Sequence, residues 1–305
     1  MDKIGITTGD PNGIGAEITI KALQKLNLPQ DKIVLISNKK ILDYYGKLDK
    51  NYEIIEIPYS SEIQAGTVTK EAGEFSYQSL KRICELRPKA IVTAPVAKNA
   101  LHLAGHIYNG QTEVLQKFLA HDNQLAEMLF VTNNFRVLLL TRHCALKDIT
   151  LTKKIVITKI KNLVKTFESQ FGITNPKFAL CGFNPHAGED GILGREEIEI
   201  LLPAVEELRK QGINITNPLP SDTLFVKAAK HYYADEKDEF DCYIANYHDQ
   251  GLIPIKTVAG DKTVNMTIGL DIVRTSPGHG TAFNIAGKNI ADPSGMIEAI
   301  KQVLN

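Results

Sequence analysis

Short apolar runs rich in β-branched residues alternate with helical patterns from the start of the chain. Segments with apolar residues at three-to-four spacing, typical of amphipathic helices, fill the gaps between the runs. Alternating strands and helices build mostly parallel sheets that are covered on both faces. The predicted strands are Ile4–Thr8, Ile33–Ser37, Tyr52–Ile57 and Ala90–Ala94, and the helices between them are Ala16–Leu26 and Ala72–Leu86.

A second series of the same kind follows, so the pattern predicts an α/β protein with two α/β/α lobes. We expect a terminal lobe of residues 1–105 plus 275–305 and a central lobe of residues 106–274. The pattern of the last helix, Pro293–Leu304, fits either lobe. The second series consists of strands at Met128–Thr132, Val137–Thr141, Lys177–Cys181 and Tyr243–Tyr247, with helices near Ile149–Phe171 and Glu196–Gln211.

The charge balance gives no sign of a polyanionic partner. The 305 residues include 35 basic and 35 acidic side chains, whereas nucleic-acid binders usually carry a clustered basic excess. The lysines between Lys153 and Lys165 are spaced like the exposed face of an amphipathic helix. We therefore predict no nucleic-acid partner.

The cysteines and the apolar segments indicate a cytoplasmic protein. Cys84, Cys144, Cys181 and Cys242 lie far apart without a CxxC pair, which excludes a local zinc knuckle or redox dithiol and fits a reducing compartment. No segment approaches the roughly 18 apolar residues of a membrane span, and the N-terminus lacks the apolar core of a signal peptide. The sequence predicts no membrane association.

Three histidines each follow a predicted strand, where α/β sheets present their functional groups. They are His143, His186 and His248, and the last two stand beside glycine, proline, asparagine or aspartate residues that make tight loops. Three imidazoles leave an open position on a metal, as catalytic sites require. Taken singly, each histidine is better explained as a hydrogen-bonded structural residue, and only the shared setting favours a metal site.

Downstream lie groups that suit a phosphate and a carboxylate. Lys256, Asn265 and Arg274 are predicted in or beside short strands between Ile253 and Ile272, and cations with an amide could bind such oxygens. On the residues alone, three surface positions on edge strands explain them better. Thr112, in Gly-Gln-Thr-Glu at 110–113, could cap a helix whose free N–H groups face an anion, although capping alone would account for it.

Five segments together resemble the 4-hydroxythreonine-4-phosphate dehydrogenase family of the vitamin B6 pathway. The resemblance extends from Ile4 to the C-terminal helix, and the joint order of the motifs makes it specific. The segments are Thr-Gly-Asp-Pro-Asn-Gly-Ile-Gly at 8–15, Gly-Gln-Thr-Glu at 110–113, Asn-Pro-His-Ala-Gly-Glu at 184–189, Tyr-His-Asp-Gln-Gly at 247–251 and Gly-His-Gly-Thr-Ala at 278–282.

The resemblance implies a fold similar to the isocitrate and isopropylmalate dehydrogenases, with two lobes, a cleft between them and a homodimer with a shared active site. It implies a divalent metal such as zinc, magnesium or cobalt on the three histidines. It also implies that Lys256, Asn265 and Arg274 contact the substrate, so the resemblance favours this interpretation over surface positions on edge strands. The implied metal ligands are His143, His186 and His248, and the implied substrate-binding residues are Gln111, Thr112, Lys256, Asn265 and Arg274.

The C-terminal run 279–288 resembles the adenine-side loop of decarboxylating dehydrogenases, which would explain a nicotinamide enzyme without the GxGxxG fingerprint. Many relatives carry an acidic residue where Asn284 stands, so the choice between NAD and NADP stays open. Gln111 replaces the family's usual histidine and cannot become cationic. The implied cofactor-binding residues are His279, Gly280, Thr281, Ala282 and Asn284.

The resemblance implies oxidation of 4-phosphooxy-L-threonine at C3 and decarboxylation to 3-amino-2-oxopropyl phosphate. The metal would bind the alcohol and carboxylate while hydride passes to nicotinamide. Asp222 and Lys256 are the candidates for the proton relay, and the sequence does not choose between them. The alternatives are a 4-phospho-threonate or 4-phospho-erythronate dehydrogenase, a phosphate acyltransferase of related fold, and a non-catalytic metal-binding protein.

Overall fold

A computed structural model describes residues 2–121, 124–133 and 135–304. Its strands are β1 Ile4–Thr7, β2 Ile33–Ser37, β3 Glu53–Glu56, β4 Ala90–Thr93, β5 Glu127–Thr132, β6 Phe135–Leu139, β7 Lys177–Leu180, β8 Asn214–Ile215, β9 Cys242–Ala245, β10 Val264–Ile268 and β11 Arg274–Pro277. Its α-helices are α1 Gly15–Leu26, α2 Lys39–Tyr45, α3 Lys70–Leu86, α4 Lys98–Leu103, α5 Gln111–Leu119, α6 Lys153–Gln170, α7 Leu202–Lys210, α8 Ser221–Ala234, α9 His248–Ala259 and α10 Ser294–Lys301. The strands and helices predicted from the apolar pattern are confirmed within a few residues at each end, except that the predicted helix at Glu196–Gln211 begins with a π-helical segment, Glu197–Leu201, before α7.

The chain divides into two compact units. Unit 1 comprises Met1–Ala126 and Val264–Asn305, and unit 2 comprises Glu127–Thr263. Segments 106–126 and 264–274, which the sequence assigned to the central lobe, thus belong to unit 1. They do so because α5 packs on α3 and β10 pairs with β11.

Unit 1 contains the strand order β3-β2-β1-β4-β11-β10. The strands are parallel except for β10, which runs antiparallel to β11. The chain order reverses between β1 and β4, whose last residues, Thr7 and Thr93, are directly paired. This reversal is the kind of position at which open α/β sheets bind ligands, beyond the carboxyl ends of the strands.

Unit 2 contains the strand order β5-β6-β9-β7-β8. Only β5 is antiparallel to its neighbour, and β6, β9 and β7 run parallel side by side. Their residues are buried almost throughout, as expected for strands covered on both faces. The carboxyl ends of these three strands therefore lie at the same edge of the sheet.

Helix α6 begins where Thr152 accepts a hydrogen bond from the Ile155 amide, at 3.2 Å. Its buried residues recur at helical spacing, which confirms the predicted amphipathic helix. Lys159 departs from that pattern: its side chain is only 12% exposed and it pairs with buried Glu127 on β5. The described part of the chain contains no helix both long and apolar enough to span a membrane.

Candidate functional site

Two of the predicted metal ligands lie side by side at the carboxyl edge of unit 2. His143 follows β6 and His248 opens α9 directly after β9, the neighbouring strand. Their ring centroids are 5.4 Å apart. They line a cavity of about 280 Å³ together with Arg142, Cys144, Ala145, Leu146, Tyr247 and Asp249.

Hydrogen bonds from two amide side chains fix the strand ends that carry these histidines. Gln250 accepts from the Asn246 backbone amide at 2.7 Å, and donates to the Gly182 carbonyl after β7 at 2.6 Å and to the Ser221 hydroxyl at 2.9 Å. Fully buried Asn246 donates to the Cys181 carbonyl at 2.8 Å, while its own backbone carbonyl accepts from the Thr141 hydroxyl. The loops after β6, β9 and β7 and the start of α8 are therefore tied together.

A glycine allows α9 to approach the sheet closely. A Cβ atom on Gly251 would lie 2.7 Å from Leu139 Cδ2, 2.8 Å from Val137 Cγ1 and 2.9 Å from Ala245 Cβ. These distances are shorter than carbon atoms tolerate in a packed core. Any larger residue would displace the helix that begins with His248.

The ring of His248 has one nitrogen already engaged. Its Nδ1 lies 2.7 Å from Asp249 Oδ1, and its side chain is 35% exposed. A carboxylate on one imidazole nitrogen fixes the tautomer and leaves Nε2 as a metal donor. This is the arrangement that metal-binding histidines use.

His186 belongs to a loop with unusual backbone torsions. His186, Ala187, Glu189 and Asp190 all have φ between 44° and 54°, in the left-handed region that non-glycine residues rarely adopt. Such strain tends to occur at functional sites. The His186 ring is 67% exposed, and its Nδ1 lies 3.6 Å from Glu189 Oε2.

One chain does not by itself assemble the predicted three-histidine cluster. Among residues 2–121, 124–133 and 135–304, no three His, Cys, Asp or Glu side chains come close enough to hold a metal ion. The structure brings His143 and His248 together and leaves His186 on the loop after β7. All three loops leave the same sheet edge, so the shared setting inferred from the sequence is present.

The two candidates for the proton relay lie on adjacent helices of unit 2. Asp222 is the second residue of α8 and is exposed, and α8 packs on α9. Lys256 is exposed on the last turns of α9. The prediction that Lys256 lies in or beside a strand is wrong: the apolar run around Pro254 resembles a strand, but Gly251, Leu252 and Ile255 face the core at helical spacing.

In unit 1, Arg274 is held inside the sheet by hydroxyl groups. Its Nε and Nη2 donate to Thr93 Oγ1 at 2.9 and 2.6 Å, and its Nη1 lies 3.4 Å from Thr267 Oγ1. The residue is 2% exposed. Burial lowers the pKa of Arg274 to about 9, against a smaller opposing effect of Glu113. A buried guanidinium bonded to neutral groups is a strong attractor for an anion.

Two buried amide oxygens of unit 1 lack partners in the described residues. They are Gln111 Oε1 and Asn265 Oδ1. The Gln111 Nε2 donates to the Ala94 carbonyl just after β4, at 3.1 Å. Since buried polar atoms are nearly always hydrogen-bonded, such exceptions indicate a ligand or water position.

Thr112 does not cap a helix as predicted. Helix α5 begins at Gln111 with Gly110 as its N-cap residue and without a side-chain cap, and Thr112 is buried inside the first turn. The glycine leaves the first backbone N–H groups of α5 without a side-chain acceptor. That these N–H groups face an anion stays a prediction.

The predicted cofactor residues lie against the first loop of unit 1. Ile14 donates its backbone N–H to the Thr281 carbonyl at 3.1 Å, and a Cβ on Gly13 would lie 3.0 Å from Thr281 Cβ. Ala282 has a left-handed φ of 43°. Thr281 is therefore held against the loop that joins β1 to α1. Asn284 is exposed, two residues further on.

Sequence reasoning assigned no role to Asp10 and Asn12 beyond the turn. Asn12 donates to the Thr67 carbonyl at 2.9 Å and accepts from the Gln64 amide at 2.8 Å, which ties a second loop to the first. Asp10 is fully buried, its Oδ2 has no partner in the described residues, and burial raises its pKa to about 6. The sequence signal for these two residues was their position on either side of Pro11, in a loop that joins a strand to a helix.

A second cavity, which lies in unit 1, contains none of the predicted site residues. It measures about 640 Å³ and lies between α3 and the segment after β3. Charges of both signs surround it, including Lys70, Glu71 and Arg82. Cavity size alone therefore does not identify the site in this protein.

Comparisons with known proteins agree with the motifs. The family model described as "Pyridoxal phosphate biosynthetic protein PdxA" matches residues 7–303. A 4-hydroxythreonine-4-phosphate dehydrogenase of Sulfurihydrogenibium sp. is 40% identical over 99% of this chain and 97% of its own length. A protein of Oceanobacillus iheyensis, provisionally named a D-threonate 4-phosphate dehydrogenase, is 37% identical over 99% of this chain and 96% of its own.

Solved structures give the same result. The crystal structure of a 4-hydroxythreonine-4-phosphate dehydrogenase from Klebsiella pneumoniae superposes with a TM-score of 0.86 at 33% identity, and covers 100% of this chain and 99% of the other. The predicted α/β fold, of the isocitrate and isopropylmalate dehydrogenase type, is confirmed.

Proposed function

Because this chain belongs to the PdxA family of pyridoxal phosphate biosynthetic proteins, we propose that it oxidises 4-phosphooxy-L-threonine with a nicotinamide cofactor. The observation that carries the proposal is the family match, which spans residues 7–303 and includes every motif discussed above. The paired imidazoles of unit 2 and the buried Arg274 of unit 1 support it.

The reaction removes a hydride from C3 of the substrate and a proton from the C3 hydroxyl. The product, 2-amino-3-oxo-4-phosphooxybutanoate, is a β-keto acid, which loses carbon dioxide and takes up a proton to give 3-amino-2-oxopropyl phosphate. Nicotinamide, as NAD or NADP, accepts the hydride when it is bound. The protein has to bind the phosphate, hold the alcohol and accept its proton.

Arg274 is the candidate for binding the phosphate or carboxylate in unit 1. Its guanidinium is fixed by Thr93 and Thr267 before any ligand arrives, so little side-chain entropy is lost on binding. The unpartnered oxygens of Gln111 and Asn265 are acceptors, and the substrate's ammonium and hydroxyl groups are donors that suit them. Thr112 and Lys256 complete the proposed substrate-binding set.

His143, His186 and His248 are proposed to hold a divalent metal such as zinc, magnesium or cobalt. The support is the pair at 5.4 Å, the Asp249 carboxylate on His248 and the shared sheet edge. A cation held there would polarise the alcohol and favour loss of its proton. Asp222 and Lys256 are the exposed groups on α8 and α9 that could carry that proton away.

The segment of His279, Gly280, Thr281, Ala282 and Asn284 is the proposed cofactor contact. Its support is the fixed backbone beside the β1–α1 loop, because open α/β sheets bind ligands at such strand ends. Asn284 carries no negative charge that would repel the 2′-phosphate of NADP. By the same resemblance to the family, we propose a cytoplasmic homodimer with a shared active site.

The test is an assay of the purified chain with 4-phosphooxy-L-threonine and either NAD or NADP. We expect absorbance at 340 nm to rise, an amino ketone phosphate to form, and a chelator to abolish both. A phosphate acyltransferase would give no signal at 340 nm. Absence of turnover with either cofactor in the presence of added divalent metal would contradict the proposal.

Oxidation of D-threonate 4-phosphate or its erythronate isomer is the second candidate. Two observations favour it: a relative of that provisional name is 37% identical, and Gln111 stands where the family usually has histidine. Parallel assays with both substrate types, compared by kcat/KM, decide between them.

A further inference from the structure

Arg142 lies in the cavity at the two paired histidines and has no role in the proposal above. It directly precedes His143 and lines the same cavity of about 280 Å³. Its Nη1 atom is buried and has no hydrogen-bond partner among the described residues. An unsatisfied buried guanidinium nitrogen is costly, because such a group forms strong hydrogen bonds in water.

The ion pair of Glu127 and Lys159 lies near Arg142. Glu127 is 1% exposed and the Lys159 side chain 12% exposed. Arg142 is close enough to act on both electrostatically. It opposes the rise that burial causes in the pKa of Glu127, and it adds to the fall that burial causes in the pKa of Lys159.

The charges in this cluster do not balance. Arg142 and Lys159 carry two positive charges and Glu127 carries one negative charge, so these three residues have one excess positive charge. The acidic side chain that lines the cavity, Asp249, is engaged by His248 Nδ1. The excess charge is stabilised when a counterion binds nearby, and a guanidinium suits a planar carboxylate or a phosphate. The adjacent cavity is the space in which an anion could reach it.

We propose that Arg142 binds an oxyanion, either a carboxylate or a phosphate, of the ligand that occupies the cavity at His143 and His248. The proposal takes the identity of the substrate from the proposed function, whereas the anion site itself depends only on Arg142, Glu127 and Lys159. It makes Arg142 a substrate-binding residue, and its sequence position beside His143 gave no sign of this.

The experiment measures binding without turnover, by isothermal titration of the purified full-length chain. The two probes are inorganic phosphate and D-threonate, which has the carboxylate but no phosphate. The variants are R142Q, which removes the charge, and R142K, which keeps the charge but loses the bidentate geometry. The matched control is R195Q, because Arg195 is an exposed arginine paired with Glu199.

We expect R142Q to weaken the binding of one probe by about tenfold or more, as for loss of a charge-assisted hydrogen bond. R142K should retain part of that affinity and R195Q all of it. Weaker phosphate binding identifies the phosphate as the ligand group, and weaker D-threonate binding identifies the carboxylate. A wild-type chain that binds neither probe, or unchanged binding of both by R142Q, would overturn the proposal.

Thermal unfolding separates binding from support of the fold. If Arg142 only stabilised Glu127, R142Q would lower the midpoint of unfolding and leave both dissociation constants unchanged, which also overturns the proposal. Because R142Q leaves the neutral pair Glu127–Lys159, we expect an unchanged midpoint without ligand. Turnover is measured separately, so a chain that binds the probes but oxidises neither phosphorylated substrate would refute the proposed function alone.

Discussion

Arg274 of unit 1 and the histidines of unit 2 are prepared for their ligands to different degrees. Arg274 is 2% exposed, with its guanidinium fixed by threonine hydroxyls. The side chains of His186 and His248 are 67% and 35% exposed, and only two of the three imidazoles lie together. The fold thus fixes the proposed anion-binding group in advance. For the proposed metal ligands it fixes the strand ends that carry the histidines but not their rings.

The difference follows from the cost of burying charge. A buried guanidinium must be hydrogen-bonded within the protein, and the lowered pKa of Arg274 shows the cost of its burial. The imidazoles of His186 and His248 remain partly exposed to water, so they avoid most of this cost. Loss of a histidine should therefore affect chemistry and metal content, while loss of Arg274 should affect substrate affinity.

The largest expected effect is that of His248→Ala. We expect turnover to fall by about a thousandfold or more, together with loss of bound metal, because two imidazoles hold a cation poorly. Formation of NADH or NADPH at 340 nm and the metal content of the dialysed protein measure the two effects. His121→Ala is the control, since His121 is exposed, pairs with Asp271 and belongs to unit 1. Wild-type turnover by His248→Ala would remove the metal from the mechanism.

Arg274→Met should have a smaller effect of a different kind. We expect KM for the phosphorylated substrate to rise roughly 10- to 100-fold with a lesser change in kcat, as for loss of a charge-assisted hydrogen bond. The thermal midpoint should change little, because an apolar side chain of similar length replaces a costly buried charge. Arg82→Met, at an exposed arginine paired with Glu85, is the control. An unchanged KM would mean that the anion binds elsewhere.

Asp10→Asn should have the smallest effect, on stability and its dependence on pH. The folded-state pKa of Asp10 is raised from 3.8 to about 6, so the folded protein binds this proton more tightly than the unfolded chain. Its contribution to stability is present below about pH 4 and is lost as pH rises through 6. The full shift corresponds to roughly 3 kcal/mol at neutral pH.

Of that amount, we expect the Asp10→Asn substitution to restore about 1 kcal/mol at pH 7.5, because burial of an amide also has a cost. Denaturant unfolding between pH 4 and 8 measures the effect, with Asp31→Asn at an exposed position as the control. The decrease in the free energy of unfolding between pH 4 and 6 should become shallower in Asp10→Asn and stay unchanged in Asp31→Asn. Asp10 in turn contributes to the raised pKa values of Tyr45 and Tyr59, for which burial is the larger cause. A wild-type slope in Asp10→Asn would contradict the raised pKa.

The sequence predicted the parts of the fold that depend on local pattern. Strand β2 has the predicted bounds, because it is an apolar run followed by one buried serine and is buried along its whole length. The position of His143 and His248 at one sheet edge could also be predicted, because each follows a strand of a parallel series. Lys256 was misassigned because its β-branched neighbours have the same composition in a short helix as in a strand.

The interactions that organise the site could not be predicted from the sequence. Gln250 joins two strand ends and the start of α8 through Asn246, Gly182 and Ser221. Nothing local distinguishes this glutamine from an exposed one, because its partners lie up to 68 residues away in the chain. The buried pair near Arg142 was missed for the same reason, since Glu127 and Lys159 are 32 residues apart in the chain. The helical spacing of Lys159 from buried Val156 and Leu163 was the available signal.

Gly251 has a consequence for any attempt to adapt this protein to other hydroxy acids. Because α9 touches the sheet where a side chain is missing, the residue at this position acts as a spacer that sets the distance of the whole helix from the sheet. An added methyl group would shift His248 and Lys256 together, although the substituted residue is not itself one of the proposed site residues. Position 251 is therefore a place where activity can be retuned or destroyed by a change that looks conservative.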